Sequence, residues 1–357
     1  MRLFGSWLLI LVLHPGTIAA APPFLNIQAY GAVPNDGVDD SAAIQAAFNA
    51  LDPNEGGTVY CPPGTYEVAT PIVVRGSAVR FAGSAGPSYN EDPPYAGCTL
   101  VARTAGMTLV QFRAGDLNHR GPVIEYVNLR DGTPGGHSAT LLDIKNFNRW
   151  TVRNVTLNYA STGLKVTGDD DASWGYVAQL FCKESNTCID QSTIEGGFLV
   201  LGGGLEPAVT GIRVRGSQVR VVGVKFDCVA GSTGIYITGH AAAVTASEFE
   251  GCGTGIVVRN DGTQRWNGNQ NSFVGNHFVS WSVQGSRGIS VGAACTGNQI
   301  IGNTYEAPAA VEDLGSATVR LEQGIAGDLT LTCPQGQAVR SLKIRQGVVT
   351  DATCGAP

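Results

Sequence analysis

NSFVGNHF, residues 271–278, returns as NQIIGNTY at 298–305, offset by 27 positions. Each octet reads Asn, any residue, two apolar residues, Gly, Asn, any residue, aromatic. Looser copies lie upstream: VRVVGVKF ends at Phe226, AVTASEF at Phe249, WTVRNVTL at Leu157 and IEYVNL at Leu129. The anchors 129, 157, 226, 249, 278 and 305 step by 28, 69, 23, 29 and 27. The step of 69 is three times 23, so two further copies sit unread within it. A period of 20–30 residues marks a solenoid, in which each coil buries its apolar side against its neighbours.

A second strand follows most anchors: GLKV at 163, GIRV at 211, GIYI at 234, GIVV at 255 and GISV at 288. Strand residues alternate sides, so placing the apolar ones inward sends those between them outward. Coils stack about 4.8 Å apart, and equivalent outward residues then form ladders. The register is poorest over 168–210, which reads as irregular coils or a loop excursion. The last stretch, GDLTLTCPQGQAVRSLKIRQGVVTDATC, alternates without the motif and reads as a cap over the open end.

Composition agrees. The chain has 357 residues, 48 of them glycine, with 15% charged residues and two methionines, which suits short strands and tight turns. A formal net charge of -6 argues against nucleic-acid binding. Arg2, the apolar run LFGSWLLILVL and the small residues of TIAAA read as an export leader over 1–20, too short to span a bilayer. The nine cysteines include no CxxC, and disulfides persist outside the cytosol. Cys228 and Cys252 lie two and three positions past anchors 226 and 249, so their backbones are neighbours. Cys182 with Cys188 and Cys333 with Cys354 are close enough in sequence to pair locally; Cys61 with Cys98 would leave Cys295 free.

YGAVPNDGVDDSAAIQAAFNAL, from Tyr30 to Leu51, gathers Asp36, Asp39 and Asp40, with Asp52 just beyond. Ala43, Ile44, Ala47, Phe48 and Leu51 fall on one helical face, and Asp39, Asp40 or Ser41 can cap its N-terminus. The aspartates therefore read as caps and turns, not as a site. The longer pattern NIQAYGAVPNDGVDDSAAIQAAFNAL…GGTVYCPPGTYEVATPIVV resembles the opening of the pectate lyase superfamily, its rhamnogalacturonase-, epimerase- and tailspike-like members. The likeness covers roughly residues 26–83. It implies an all-β, right-handed single-stranded parallel β-helix with an N-terminal capping helix.

Three sets of residues are candidates for chemistry. On the second strand the outward ladder reads Lys165, Arg213, Tyr236, Val257, Ser290, and two positions on Thr167, Arg215, Thr238, Arg259. Arginines pair with the carboxylates of acidic sugars in forked geometry, and a tyrosine stacks on a sugar ring. The plain alternative is a solvated sheet face. The loops VTGDDDASW and VRNDGTQRW put Asp169, Asp170, Asp171, Trp174, Asp261 and Trp266 on one edge of the β-helix. They lie about four coils, roughly 19 Å, apart, too far for one catalytic pair. On the first strand Asp227 and Glu250 point outward one coil apart, and stacked carboxylates tend to share a proton. Lys225 beside Glu248 gives that face an ordinary ion-pair reading. The polygalacturonase motifs of the wider fold are not matched: TGH at 238–240 is followed by alanine, and KIR at 343–345 falls in the terminal cap. No catalytic residue is carried over from the resemblance.

The expectation is a secreted or periplasmic protein: leader 1–20, β-helix 24–326 with its N-terminal cap, C-terminal cap 327–357, and about eight coils from roughly 98 to 308. Its partner is an acidic, uronate-containing polysaccharide; nucleic acid and membrane are not expected, and the assembly is a monomer or homotrimer. The activity is that of a lyase, with Arg213 or Arg215 as base, or of a glycoside hydrolase, with carboxyls among Asp170, Asp171, Asp227 and Glu250. The alternative is a non-catalytic glycan-binding or surface-structural β-helix. No cofactor is expected, and calcium is left open.

Overall fold

The computed structural model describes residues 23–84, 97–114, 120–168, 174–192, 196–262, 268–279, 286–306 and 311–321, and the backbone alone of 330–331, 338–345 and 348–355. The leader, Asp169, Asp170, Asp171, Trp266 and the Cys333–Cys354 pair lie outside the described residues. No helix among the described residues is long and apolar enough to cross a membrane.

The strands join by parallel pairings into a right-handed β-solenoid of about nine turns. Each turn has three faces. Face one begins at Phe24–Asn26 and Gly57–Tyr60 and ends at Val319–Leu321. Face two runs from Gly64–Val68 to Thr304–Tyr305, and face three from Ile72–Arg75 to Val311–Asp313. What the sequence offers as one first strand is two, on faces one and two. A single left-handed residue bends the chain between them: Asn154 at φ 52°, Gly223 at 62°, Ala246 at 49°, Gly275 at 63° and Gly302 at 61°. Glycine takes that conformation without a Cβ clash, which is why the octet carries it.

The rest of the octet is explained by stacking. After the corner, Asn276 and Asn303 are buried, and Asn276 donates from both its backbone N–H (2.9 Å) and its side-chain amide (3.0 Å) to Asn303 Oδ1. Asn276 Oδ1 in turn accepts the Ser247 N–H at 3.1 Å. Asn271 and Asn298 repeat the arrangement at the corner leading into face one. These amides satisfy corner backbone groups that no strand partner reaches. The anchors form a second column: Phe226, Phe249, Phe278 and Tyr305 stack with ring centroids 4.5, 4.8 and 5.0 Å apart. The glycine opening each face-three strand makes room for it. A Cβ on Gly211 would lie 2.9 Å from the Phe226 ring, and one on Gly234 2.6 Å from Phe249.

Within 168–210 the described residues 174–192 and 196–210 form irregular coils. Gly175–Gln191 and Phe198–Val214 each run 17 residues around the corners without leaving the sheet, and the register between them shifts at Ser185. Cys182 and Leu205 hold the two missing anchor positions between Leu157 and Phe226.

At the N-terminus the aspartates close turns. Asp36 accepts the Val38 N–H at 2.9 Å, Asp40 the Val33 N–H at 2.8 Å, and Asp52 the Asn54 N–H at 2.7 Å. Asp39 accepts the Ser41 N–H at the start of helix Ser41–Asn49 at 3.0 Å, and Ala69 N–H at 2.9 Å. That helix sets Phe48 against Phe81 and Phe112. Disulfides join Cys61–Cys98, Cys182–Cys188 and Cys228–Cys252, and Cys295 is free and buried. Residues Ala338–Arg345 and Val348–Gly355 pair as a separate antiparallel sheet.

Replacing Asn276 by Ala removes the acceptor for Ser247 and strands groups on Asn303. It is expected to cost about 1–3 kcal/mol in urea unfolding, and a loss below about 0.5 kcal/mol would show that the amide ladder is not a stabilising element.

Candidate functional site

Face three carries an outward column that crosses ten strands: Val73, Gln111, Asp143, Lys165, Asp190, Arg213, Tyr236, Val257, Ser290 and Glu312. In its middle the charges alternate, Asp143, Lys165, Asp190, Arg213. Like charges directly opposite on neighbouring strands repel, and opposite ones attract. Asp190 thus sits between Lys165 and Arg213, and Asp143 between Gln111 and Lys165, each about 4.8 Å away. Asp143 and Asp190 are two coils, roughly 10 Å, apart along the backbone.

Both carboxylates point outward, yet Asp143 is only 9% exposed and Asp190 8%. Burial pushes the Asp143 carboxyl above its ordinary value, against the pull of Lys165, Arg113 and Lys145 and a hydrogen bond from Thr167. Arg215 Nη2 lies 3.6 Å from Asp190 Oδ2. One oxygen of each acid, Asp143 Oδ1 and Asp190 Oδ1, is buried without a hydrogen-bond partner among the described residues. Such orphaned acceptors cost about 1–3 kcal/mol each, unless a water, an ion or a ligand completes them.

The column holds Lys165, Arg213 and Tyr236 together, as the spacing predicts, with Arg215 two positions beyond Arg213. Arg259 lies further along and is engaged by the fold. Its guanidinium donates to the Val258 carbonyl (2.9 Å), the Ser290 carbonyl (3.1 Å) and the Ser290 hydroxyl (2.9 Å). Ser290 Oγ donates in turn to Glu312, which also pairs with Arg287. Trp174 is 76% exposed at the corner beyond Lys165's strand, with φ 67°. Asp261 is exposed four coils on.

Face two places Asp227 opposite Glu250, as expected. Lys225 bridges both glutamates of the next strand, at 3.5 Å from Glu248 and 2.9 Å from Glu250. Ion pairs this exposed contribute about 0–1 kcal/mol, so this face has the ordinary surface pairing. Glu206 precedes Asp227 in the same column; burial raises its carboxyl, with Asp227 and Glu184 adding and Lys183 opposing.

The acids of the face-three column, Asp143 and Asp190, are absent from the residues singled out in the sequence. A threonine ladder would have revealed them. Thr108, Thr140, Thr162, Thr187, Thr210, Thr233 and Thr254 open successive face-three strands in register. Aligned on threonine, TLLD at 140 and TCID at 187 fall beside TGLK at 162 and TGIR at 210.

A profile of the family described as rhamnogalacturonase A/epimerase, pectate lyase-like, matches residues 24–289. Comparison with curated proteins by sequence finds no match. Among solved structures the chain is similar to ORF18 of Geobacillus virus E2, with a TM-score of 0.65 and 16% identity over 91% of this chain and 68% of that one. It is similar to the enzymatically active domain of bacteriophage CBA120 tailspike protein 2, with a TM-score of 0.62 and 13% identity over 84% of this chain and 47% of that one. It is also similar to the DFA-IIIase of Arthrobacter chlorophenolicus A6, with a TM-score of 0.54 and 14% identity over 84% and 92%. At these identities the likeness is one of fold.

The raised Asp143 carboxyl makes a stability prediction. Above its folded-state value the buried charge destabilises the fold; below the ordinary 3.8 the acid is protonated folded and unfolded alike, and the penalty is gone. Asp143→Asn is therefore expected to raise the unfolding midpoint at pH 7 and to lose that advantage as the pH falls toward 3.8. A variant less stable than the parent at pH 7 would contradict the burial reading.

Proposed function

Because the chain belongs to the rhamnogalacturonase A/epimerase, pectate lyase-like family, we propose that it cleaves an acidic polysaccharide laid across face three, as a glycoside hydrolase. The observation that carries this reading is the pair Asp143 and Asp190, two coils apart and each with a buried, unpartnered oxygen. A backbone separation near 10 Å accommodates the carboxyl spacing of about 6.5–9.5 Å used by inverting hydrolases, where a water must fit between acid and sugar. Asp143, whose carboxyl burial raises above its ordinary value, is the group placed to donate a proton to the leaving glycosidic oxygen. Asp190 takes the proton of the attacking water. Lys165 and Arg213, between and beside them, attract the carboxylates of the sugar chain. Tyr236 and the exposed Trp174 offer flat surface to sugar rings.

Three disulfides support an exported protein, since such bonds persist outside the cytosol. The proposed reaction runs on side chains alone, so a chelator is expected to leave the rate unchanged.

Incubation with a panel of uronate-containing polysaccharides, followed by product analysis, tests the proposal. New saturated reducing ends are expected, with inverted anomeric configuration. Asp143→Asn and Asp190→Asn should each lower kcat by about 10²–10⁴-fold. Unsaturated ends would instead identify a lyase with Lys165 or Arg213 as base. No products, with glycan still retained, would identify a binding protein.

A further inference from the structure

The turn from face two to face three in the coil that carries Asp143 borders an open pocket of about 250 Å³. Its lining includes Arg130, Asp131, Thr133, His137 and Tyr159. Asp131 builds the turn. Its Oδ1 accepts from Thr133 N–H (2.9 Å) and Thr133 Oγ1 (2.6 Å), and its Oδ2 from Ser138 N–H (2.8 Å), Ser138 Oγ (3.1 Å) and Ala139 N–H (2.8 Å). Burial works against the charge, but these donors hold the Asp131 carboxyl below its ordinary value. That carboxylate is spent on the loop.

Arg130 is thereby left without an acidic partner. No described carboxylate makes an ion pair with it, and its Nε is buried with no hydrogen-bond partner. The guanidinium carbon lies over the Tyr159 ring, 5.3 Å from its centroid. His137 is brought to the same wall at φ 57°, its N–H donating to the Tyr159 carbonyl at 2.6 Å. Its Nδ1 is also buried and unpartnered. An arginine fork, an imidazole nitrogen and an aromatic face around one pocket are the groups that recognise a carboxylate on a ring. The volume is below the range of about 300–1,000 Å³ for pockets that take drug-sized molecules, and so suits one sugar unit.

We propose that this pocket is a carboxylate subsite that takes a single uronate unit, with Arg130 and His137 on the carboxylate. The inference rests on the proposed function for its relation to the glycan on face three, and it supplies that function's substrate class. Thr140 to Asp143 spans about 10 Å of strand, so a unit held here lies one edge away from Asp143.

Titration of the ¹⁵N-labelled full chain with galacturonate, galactose and inorganic sulfate tests it. The arginine Nε–H signal of Arg130 is assigned by its loss in Arg130→Lys. Galacturonate is expected to shift that signal saturably and galactose to leave it in place. Affinity measured by calorimetry should weaken about 10- to 100-fold in Arg130→Gln, as for loss of a charged hydrogen bond, and by a smaller factor in His137→Asn. Asp227→Asn, on face two, should bind galacturonate as the parent does. An unmoved Arg130 signal, unchanged affinity in both pocket variants, or sulfate binding as tightly as galacturonate would each overturn the subsite. Cleavage lost in Asp143→Asn with no galacturonate binding at the pocket would sink this inference alone. Pocket binding in a chain that cleaves nothing would sink the hydrolase reading alone.

Discussion

The hydrogen bonds between successive coils fix a rise of about 4.8 Å, and almost everything else in this molecule follows from that spacing. It sets each residue directly above its counterpart one turn away. Inside, the counterparts must tolerate their own kind at van der Waals distance. Flat rings do, and Phe226, Phe249, Phe278 and Tyr305 stack at 4.5–5.0 Å. Amides do as well, because a carboxamide is both donor and acceptor, and Asn276 can give to Asn303 while receiving from Ser247. Outside, the same rule penalises columns of one charge, such as Glu206, Asp227 and Glu250 on face two. Face three meets it by alternating acid and base; face two, by laying Lys225 across Glu248 and Glu250.

That alternation prepares the site. A carboxylate beside a cation would be unexceptional in water. Here neighbouring long side chains cover Asp143 and Asp190 to less than a tenth of their free exposure, and each keeps one oxygen unserved. The arrangement is costly to the fold, because burial raises the Asp143 carboxyl against the pull of the cations around it. In the proposed reaction that cost and the chemistry pull against each other at this residue.

The sequence shows its architecture where the stacking rule has few solutions. Only glycine turns the corner freely and only asparagine fills it, so 271–278 and 298–305 are nearly identical and the period is plain. The same logic made Cys228 and Cys252 legible as neighbours, joined in the structure with a Cα separation of 4.8 Å. Where other residues serve, the pattern fades. Gln179 and Glu184 take the left-handed corners of one irregular coil, and Cys182 and Leu205 stand where phenylalanine is found later. Those substitutions hid the coil of Asp190, and with it one of the two acids. Asp143 was hidden differently, because its strand opens Thr-Leu where the motif used was Gly followed by an apolar residue. The arginine and lysine of the column were readable because they follow that glycine.

The disulfide in the irregular coil ties these threads together. In regular coils the anchor side chain of face two packs over the glycine that opens face three of the coil before it, as Phe226 does over Gly211. Cys182 occupies the anchor position and Cys188 the glycine position of one coil, so the bond Cys182–Cys188 ties face two to face three within that coil, 5.8 Å between Cα atoms. Its loop of six residues restricts the unfolded chain little, about 2 kcal/mol by loop entropy against about 3.5–4 for the two longer loops. Its consequence is local geometry. Asp190 lies two residues beyond Cys188 on the same strand, and the coil that carries it has register shifts instead of a regular corner. A slide of that strand by one residue would turn Asp190 inward. The covalent tie opposes such a slide in the coil whose register shifts at Ser185.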